Sequence, residues 1–154
     1  SAICKHIKGS TMNITRVLLA SLCGLLLSAQ AQAADRAVYF PFQAAVQRAV
    51  DDGFLDGSVT FHLAGTSQAG TVLQADAITN KKTNAFAKKD DVACDHVLRS
   101  ALLQLQTAAH NAGATSVHNI VSYFKKNTYS STSDYQCNVG TAMAGVALKG
   151  DLVK

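Results

Sequence analysis

The chain contains no glutamate, so all ten of its acidic residues are aspartates. Most of these aspartates fall where helix ends and turns are expected, positions that account for them without catalysis. The chain also lacks a G-x-S-x-G segment, which would expose a nucleophilic serine at a strand-to-helix elbow, and it lacks a C-x-x-C pair. These absences predict a protein that is not an enzyme and that has no catalytic residues.

Nucleotide and nucleic-acid binding are disfavoured for similar reasons. A phosphate-binding loop needs G-x-x-x-x-G-K-[ST], and the nearest run, Gly65 to Thr71 (GTSQAGT), has the two glycines but no lysine. The formal net charge of +4 owes much to Lys5, Lys8 and Arg16 near the N-terminus. Without them 11 basic residues face ten acidic ones, a net charge of about +1. Nucleic-acid binders usually show a strongly basic domain or face, so we expect no nucleic-acid partner.

The N-terminal region has the pattern of a secretory signal. Met12 opens a short basic stretch, Val17–Ala29 is an apolar run, and Ala31-Gln32-Ala33 supplies the small residues that signal peptidase reads. We therefore expect residues 12–33 to be a signal peptide that is cleaved after Ala33. Residues 1–11 are expected to be an upstream extension, and residues 34–154 a single exported α/β domain with one disulfide.

Two alternatives to a cleaved signal stay open. The apolar run of about 13 residues is shorter than the roughly 20 that span a bilayer, which disfavours a membrane anchor. A lipid on Cys23 is disfavoured because Leu22 stands where a lipoprotein signal has a small side chain. We expect no stable membrane anchor after cleavage.

Removal of the leader would leave two cysteines, Cys94 and Cys137. In an oxidising compartment such a pair is expected to form a structural disulfide. The predicted order of elements supports the pairing, because a final strand running parallel to the long helix would place Cys137 beside Cys94. A redox-active or metal-binding pair is the alternative.

Apolar periodicity predicts an α+β fold. We expect a β-α-β-β layer, in which a helix at about 92–112 packs on a small antiparallel or mixed sheet, with an additional N-terminal helix after the signal peptide. The long helix should be capped by Asp90 or Asp91 and by Gly113. The other expected elements are a helix at Pro41–Leu55, strands at Ser58–Leu63, Thr71–Ile78, Ser116–Phe124 and Gln136–Leu148, and polar connections at Thr79–Asp91 and Lys125–Asp134.

The last expected strand, Gln136–Leu148, is apolar on both faces. Near-continuous apolarity of this kind indicates that both faces are covered. The second cover is expected to be either the Phe42–Val50 helix or another subunit.

A family resemblance runs from Cys94 to Leu148. A cysteine opens a helix, and then follow Ala112-Gly113-Ala114, an apolar strand, a polar loop, a second cysteine and a Gly/Ala-rich strand that ends Ala147-Leu148-Lys149. This order resembles the periplasmic domain of the envelope-stress sensor lipoprotein RcsF and the YbjQ-like domains of the same layout. The resemblance implies an envelope protein that acts as a binding or stress-sensing module.

A second resemblance covers nearly all of residues 34–154. Asn80–Phe86 (NKKTNAF), Asn119–Asn127 and Ala144–Asp151 (AGVALKGD) are similar to segments of a group of small secreted Gram-negative proteins. Members often carry the label "excinuclease ABC" or "excinuclease ATPase subunit". The missing phosphate-loop lysine and zinc-finger cysteines contradict that label, so we interpret it as an error. The resemblance implies a periplasmic or secreted protein.

The remaining candidate residues are lysines and histidines. A surface for anionic groups or an envelope partner is expected at Lys81, Lys82, Phe86, Lys88, Lys89, Lys125 and Lys126, with a merely solvated surface as the alternative. His96 and His110 are about 21 Å apart along one helix, too far for one ion, and His62 and His118 are expected to form a cross-strand contact. We expect no metal and no cofactor, with a small metal-binding protein or enzyme as the alternative. The sequence leaves self-association open.

Overall fold

The computed structural model describes residues 35–66 and 69–154. The predicted signal peptide, the predicted upstream extension and Cys23 lie outside these residues. Within them no helix is long and apolar enough to cross a membrane. The described elements, in chain order, are β1 (Arg36–Pro41), α1 (Phe42–Asp51), β2 (Thr60–Leu63), β3 (Val72–Asn84), α2 (Asp90–Ala112), β4 (Ser116–Ser122), a short 3₁₀ turn (Phe124–Lys126), β5 (Asp134–Val139) and β6 (Met143–Val153).

The described part of the chain is mixed α/β, with two helices and six strands in one curled mixed sheet. Strand β6 is central: β3 pairs antiparallel with it along one edge. Its other edge is shared by β5, near Ala144 and Gly145, and by β4, from Leu148 to Val153. Strand β1 extends the sheet beyond β5, and β2 extends it beyond β4 as a parallel neighbour.

Helix α2 covers one face of this sheet by packing on β3 and β6. Its buried stripe includes Val97, Leu98, Leu102 and Leu105, at the three- and four-residue spacings of one helix face. Gly113 ends the helix in the left-handed region at φ 73°, as predicted. The predicted aspartate N-cap is wrong: the N-cap is Lys89, and Asp90 and Asp91 lie in the first turn, where their charge favours the helix dipole.

Two expected elements take a different form in the structure, and strand β1 (Arg36–Pro41) was not predicted at all. The expected connection at Thr79–Asp91 is strand as far as Asn84, because Thr79 to Asn84 pair with Leu148 to Met143. The expected single strand at Gln136–Leu148 is two antiparallel strands, β5 and β6. In both cases pairing with a distant partner determined the backbone.

The second cover of β6 comes from the chain's own 3₁₀ turn. A Cβ built on Gly145 would lie 3.4 Å from Phe124 Cε2, and the Lys149 ammonium stands 4.6 Å from the centre of the Tyr123 ring. Gly145 and Lys149 share one face of β6, so this turn lies on that face. Helix α1, which the sequence offered as the cover, instead packs against α2 and β2.

One carboxylate joins the two strands that flank the far end of β6. Strand β3 has a bulge at Asp76 (φ 54°) and β4 has one at Asn119 (φ 53°). Asp151 of β6 accepts hydrogen bonds from the Asp76 N–H at 3.0 Å and from Asn119 Nδ2 at 3.0 Å. The same carboxylate therefore stabilises both irregular backbones.

Candidate binding site

A pocket of about 270 Å³ opens beside the start of β6. Its floor is formed by Ala144 and Gly145, and the Phe124 ring forms one side. Polar and flexible side chains complete the lining; they are Asp35, Asn80, Lys82, Lys125, Asn138 and Met143. The site thus combines an apolar floor with ammonium and amide donors.

Asn138 is the unusual member of this lining. The residue is only 6 % exposed, and its Oδ1 accepts a hydrogen bond from Gln136 Nε2 at 3.0 Å. Its Nδ2 is buried and has no hydrogen-bond partner among the described residues. A buried donor without a partner costs about 1–3 kcal/mol. Such groups are rare in folded proteins and call for a specific explanation.

The 3₁₀ turn positions two further members of the pocket. Lys125 and Lys126 both have left-handed backbones, at φ 51° and 63°, a conformation that is unfavourable for residues other than glycine. This backbone holds the Phe124 ring over Gly145 and brings Lys125 to the pocket, where its Nζ lies 3.3 Å from Asp35 Oδ2. A strained turn therefore supplies both an apolar wall and a cation.

The predicted lysine surface comes from three separate segments. Lys81 and Lys82 lie on β3, Lys125 and Lys126 in the 3₁₀ turn, and Phe86, Lys88 and Lys89 in the connection before α2. The structure brings Lys82 and Lys125 to one pocket. Lys81 instead joins Lys82 along a shallow groove beside α2. Phe86 is 69 % exposed.

Cys94 and Cys137 lie at disulfide distance, with their Cα atoms 5.9 Å apart, and both are fully buried. The predicted pairing is therefore present, but the predicted reason for it is wrong. Both β4 and β5 run antiparallel to β6, so Cys137 lies on a strand that runs in the direction of β4. The sequence-based prediction had the strand of Cys137 running opposite to β4.

His62 and His118 form the cross-strand contact that the sequence predicted, with ring centroids 5.0 Å apart. Burial, followed by the charge of His118, lowers the pKa of His62 below its ordinary value. His118 Nε2 lies 3.0 Å from Ser116 Oγ, and His62 Nε2 lies 3.1 Å from Thr60 Oγ1. In residues 35–66 and 69–154 there is no group of three His, Cys, Asp or Glu side chains that could hold a metal ion.

A serine, a histidine and an aspartate also meet near the end of α2. Ser58 Oγ lies 2.6 Å from His110 Nε2 and donates to Asp56 Oδ1 at 2.5 Å. In a nucleophilic triad the aspartate orients the other histidine nitrogen, whereas Asp56 approaches the serine and the same Nε2, at 3.8 Å. The hydrogen bonds from Ser58 lower the pKa of Asp56. This exposed cluster links the segment before β2 to α2. It does not have the aspartate–histidine–serine order of hydrogen bonds that a triad needs.

A larger groove of about 610 Å³ lies near the start of α2. Its charges neutralise one another: Asp95 accepts from Arg48 at 2.8 Å and from Arg99 at 2.8 Å, and Arg99 also reaches Asp52 at 2.7 Å. Burial, followed by the charge of Asp95, raises the pKa of Tyr135 at its base. The network joins α1 to α2, which is a sufficient structural role.

Sequence reasoning missed Asn138, the central residue of the small pocket. No local signal identifies it: residues 134–139 (DYQCNV) alternate polar and apolar, so Asn138 falls at a position expected to be exposed, and only the structure shows it buried. Asp35 and Asn80 carry no signal either, because nothing local shows that they approach β6.

Comparison with known proteins adds no relatives. No protein-family model, no curated protein and no solved structure matches the chain. Its function must therefore be inferred from the residues themselves.

Proposed function

We propose that this chain is a non-enzymatic exported protein of the Gram-negative envelope that acts as a binding or interaction module. The observation that carries the proposal is the pocket at the start of β6. It gathers Lys82, Lys125 and the unpartnered amide of Asn138 over an apolar floor. A site of this composition suits recognition of an anionic group.

Exposed apolar side chains beside the pocket support a partner surface. Met143 lines the pocket and is 47 % exposed. Asn84 pairs with Met143, and the Ala85 N–H donates to the Ala142 carbonyl at 2.8 Å, so the Phe86 connection begins at the same end of the sheet. Exposed aromatic and methionine side chains are a composition that interfaces use.

We include two resemblances in this proposal. One is to RcsF and to YbjQ-like domains, and the other is to the small secreted proteins with the excinuclease label. The finer β-α-β-β layout belongs to the proposal as well. The disulfide between Cys94 and Cys137 supports an oxidising compartment. In chain order, α2 follows β3 and precedes β4 and β5, which is compatible with that layout.

Site-specific photo-crosslinking in the native cell tests the proposal. A photoreactive phenylalanine analogue is placed at Phe86 or, as a matched control, at Phe54, another exposed phenylalanine (38 %). We expect a discrete adduct only from position 86. The charge reversals Lys82→Glu and Lys125→Glu should weaken that adduct, because they would repel an anionic partner.

Export is measured on the same cells. Intact mass should show a chain that begins at Ala34 in the periplasmic or secreted fraction. Equal adducts from positions 54 and 86, or a chain retained in the cytoplasm with Met12 intact, would contradict the proposal.

A further inference from the structure

We infer that the pocket beside β6 is a carboxylate-binding site, in which Asn138 Nδ2 and the ammonium groups of Lys82 and Lys125 would receive the anion and Phe124 and Met143 a short apolar body. This inference rests on the proposed binding function and deepens it by naming the ligand class. The pocket volume of about 270 Å³ limits the ligand to a small acid or to the C-terminal residue of a peptide.

The buried amide of Asn138 determines which kind of atom is missing from the pocket. Gln136 Nε2 donates to Asn138 Oδ1, which leaves Nδ2, a donor, without a partner among the residues that the structure describes. A donor requires an acceptor, so the missing partner is an oxygen-bearing group and not a cation. An anionic acceptor is favoured because hydrogen bonds to charged groups are stronger than neutral ones.

The charge of the lining also favours an anion. Lys125 is paired with Asp35 at 3.3 Å, whereas Lys82 has no ion-pair partner among the described residues. The pocket lining therefore carries one net positive charge. Because the Lys125–Asp35 pair is exposed, with side chains 70 % and 39 % accessible, it is weak and a ligand can displace Asp35.

The composition of the lining distinguishes a carboxylate from a phosphate. The chain's own Asp35 already lies in the pocket as a carboxylate against Lys125. The described lining contains no arginine, the side chain that most often provides bidentate phosphate recognition. The Phe124 ring and the Met143 side chain offer an apolar surface that a bare phosphate would leave unused. A carboxylate attached to a small apolar group uses all of these features.

The experiment is an NMR titration of the whole protein, uniformly labelled with ¹⁵N, at constant ionic strength. The probes are N-acetyl-alanine, propionate, N-acetyl-alaninamide and inorganic phosphate. We expect saturable shifts of the Asn138 side-chain NH₂ with the two acids and much weaker ones with the uncharged amide. Tighter binding of N-acetyl-alanine than of propionate would assign the site to peptide termini, and the reverse order to free acids.

Four variants make the test specific. Asn138→Leu should weaken acid binding by about tenfold, the effect of losing one hydrogen bond to a charged group. Gly145→Ala should also weaken it by filling the floor, yet its new Cβ meets its nearest atoms at 3.4–3.6 Å, an ordinary contact that preserves the fold. Asp35→Asn should strengthen binding by about two- to fivefold, because it removes the internal competitor. Lys154→Gln, at an exposed lysine away from the pocket, should change nothing.

Several outcomes would overturn the inference. They are the absence of a saturable shift, equal binding of N-acetyl-alanine and its amide, tighter binding of phosphate than of either acid, and unchanged affinity in both Asn138→Leu and Gly145→Ala. If any of these occurs while the Phe86 adduct persists, the carboxylate site fails and the interaction module stands. Loss of the adduct alone would remove the proposed partner surface but not the ligand site.

Discussion

The two ends of strand β6 are built in opposite ways. At the Lys149–Val153 end, β3 and β4 flank the strand, Asp151 satisfies both of their bulges, and Gly150 lets β4 approach closely. At the Met143–Gly145 end, a strained turn leaves a pocket with an unpartnered amide. At one end of β6, Asp151 accepts hydrogen bonds from both bulges; beside the other end, Asn138 of β5 keeps a donor that has no partner among the described residues.

This difference shows where stability and function separate in a small domain. A polar group that is buried with all its partners rigidifies the fold, whereas one without a partner costs free energy until a ligand supplies it. We therefore interpret the far end as structural and propose the pocket end as the place for binding. Four changes, described from the largest expected effect to the smallest, test this contrast.

Breaking the disulfide should have the largest effect, because it ties β5, the wall of the pocket end, to helix α2. We expect Cys94→Ser/Cys137→Ser to lose about 2–4 kcal/mol of unfolding free energy, measured by urea denaturation. Cys94→Ala/Cys137→Ala is the control for burying two hydroxyl groups. A thiol count on unreduced wild-type residues 34–154, whose two cysteines are Cys94 and Cys137, would refute the bridge if it found two free thiols.

Adding one methyl group at each end of β6 compares their packing directly. A Cβ at Gly150 would lie 2.8 Å from Val117 Cγ1 and 3.1 Å from the His118 carbonyl oxygen, whereas one at Gly145 has no neighbour closer than 3.4 Å. Gly150→Ala should therefore cost about 2–3 kcal/mol of unfolding free energy, and Gly145→Ala clearly less. Equal losses in thermal or urea unfolding would show that the two ends are packed alike.

Removing the shared acceptor tests the bulges. Asp151→Ala leaves the Asp76 N–H and Asn119 Nδ2 without their bonds to that carboxylate, so we expect a loss of about 1–2 kcal/mol. Asp151→Asn keeps one acceptor oxygen and should fall between alanine and wild type. Asp134→Ala, which removes a carboxylate outside the bulges, is the control. Amide hydrogen exchange should become faster at β3 and β4 but not at β5. Unchanged exchange at β3 and β4 would contradict the role of Asp151 at the two bulges.

The smallest effect is a pH dependence at the His62–His118 pair. The folded pKa of His62 is lowered, first by burial and then by His118, so below pH ~6.5 the unfolded chain binds more protons than the folded one. Unfolding free energy should therefore fall as the pH drops through 6.5 and stay level above it. His62→Gln should flatten this slope below about pH 6.5, and His96→Gln should not. A slope that is unchanged in His62→Gln would contradict the assignment.

Much of the fold was predictable where a signal is local. The 3.6-residue stripe located α2 to within two residues at its start, Gly113 identified its end, and alternation placed Val59, Phe61 and Leu63 on the buried side. The pocket was not predictable as a unit, although two of its lysines were candidates. Lys82 and Lys125 are 43 positions apart in the sequence, and no local pattern shows that they meet.

The sequence by itself determined the composition of the core, the approximate length and the C-terminal glycine cap of the long helix, and the cysteines that were free to pair. Tertiary structure alone decided that Gln136–Leu148 forms two antiparallel strands, because a run that is apolar on both faces shows no periodicity that marks where the chain reverses. It also decided that Asn138 Nδ2 would have no partner within the described residues, while Asp151 would accept hydrogen bonds from two bulges. Hydrogen-bond satisfaction depends on which distant groups arrive at a residue, and that is set by strand pairing across the whole domain.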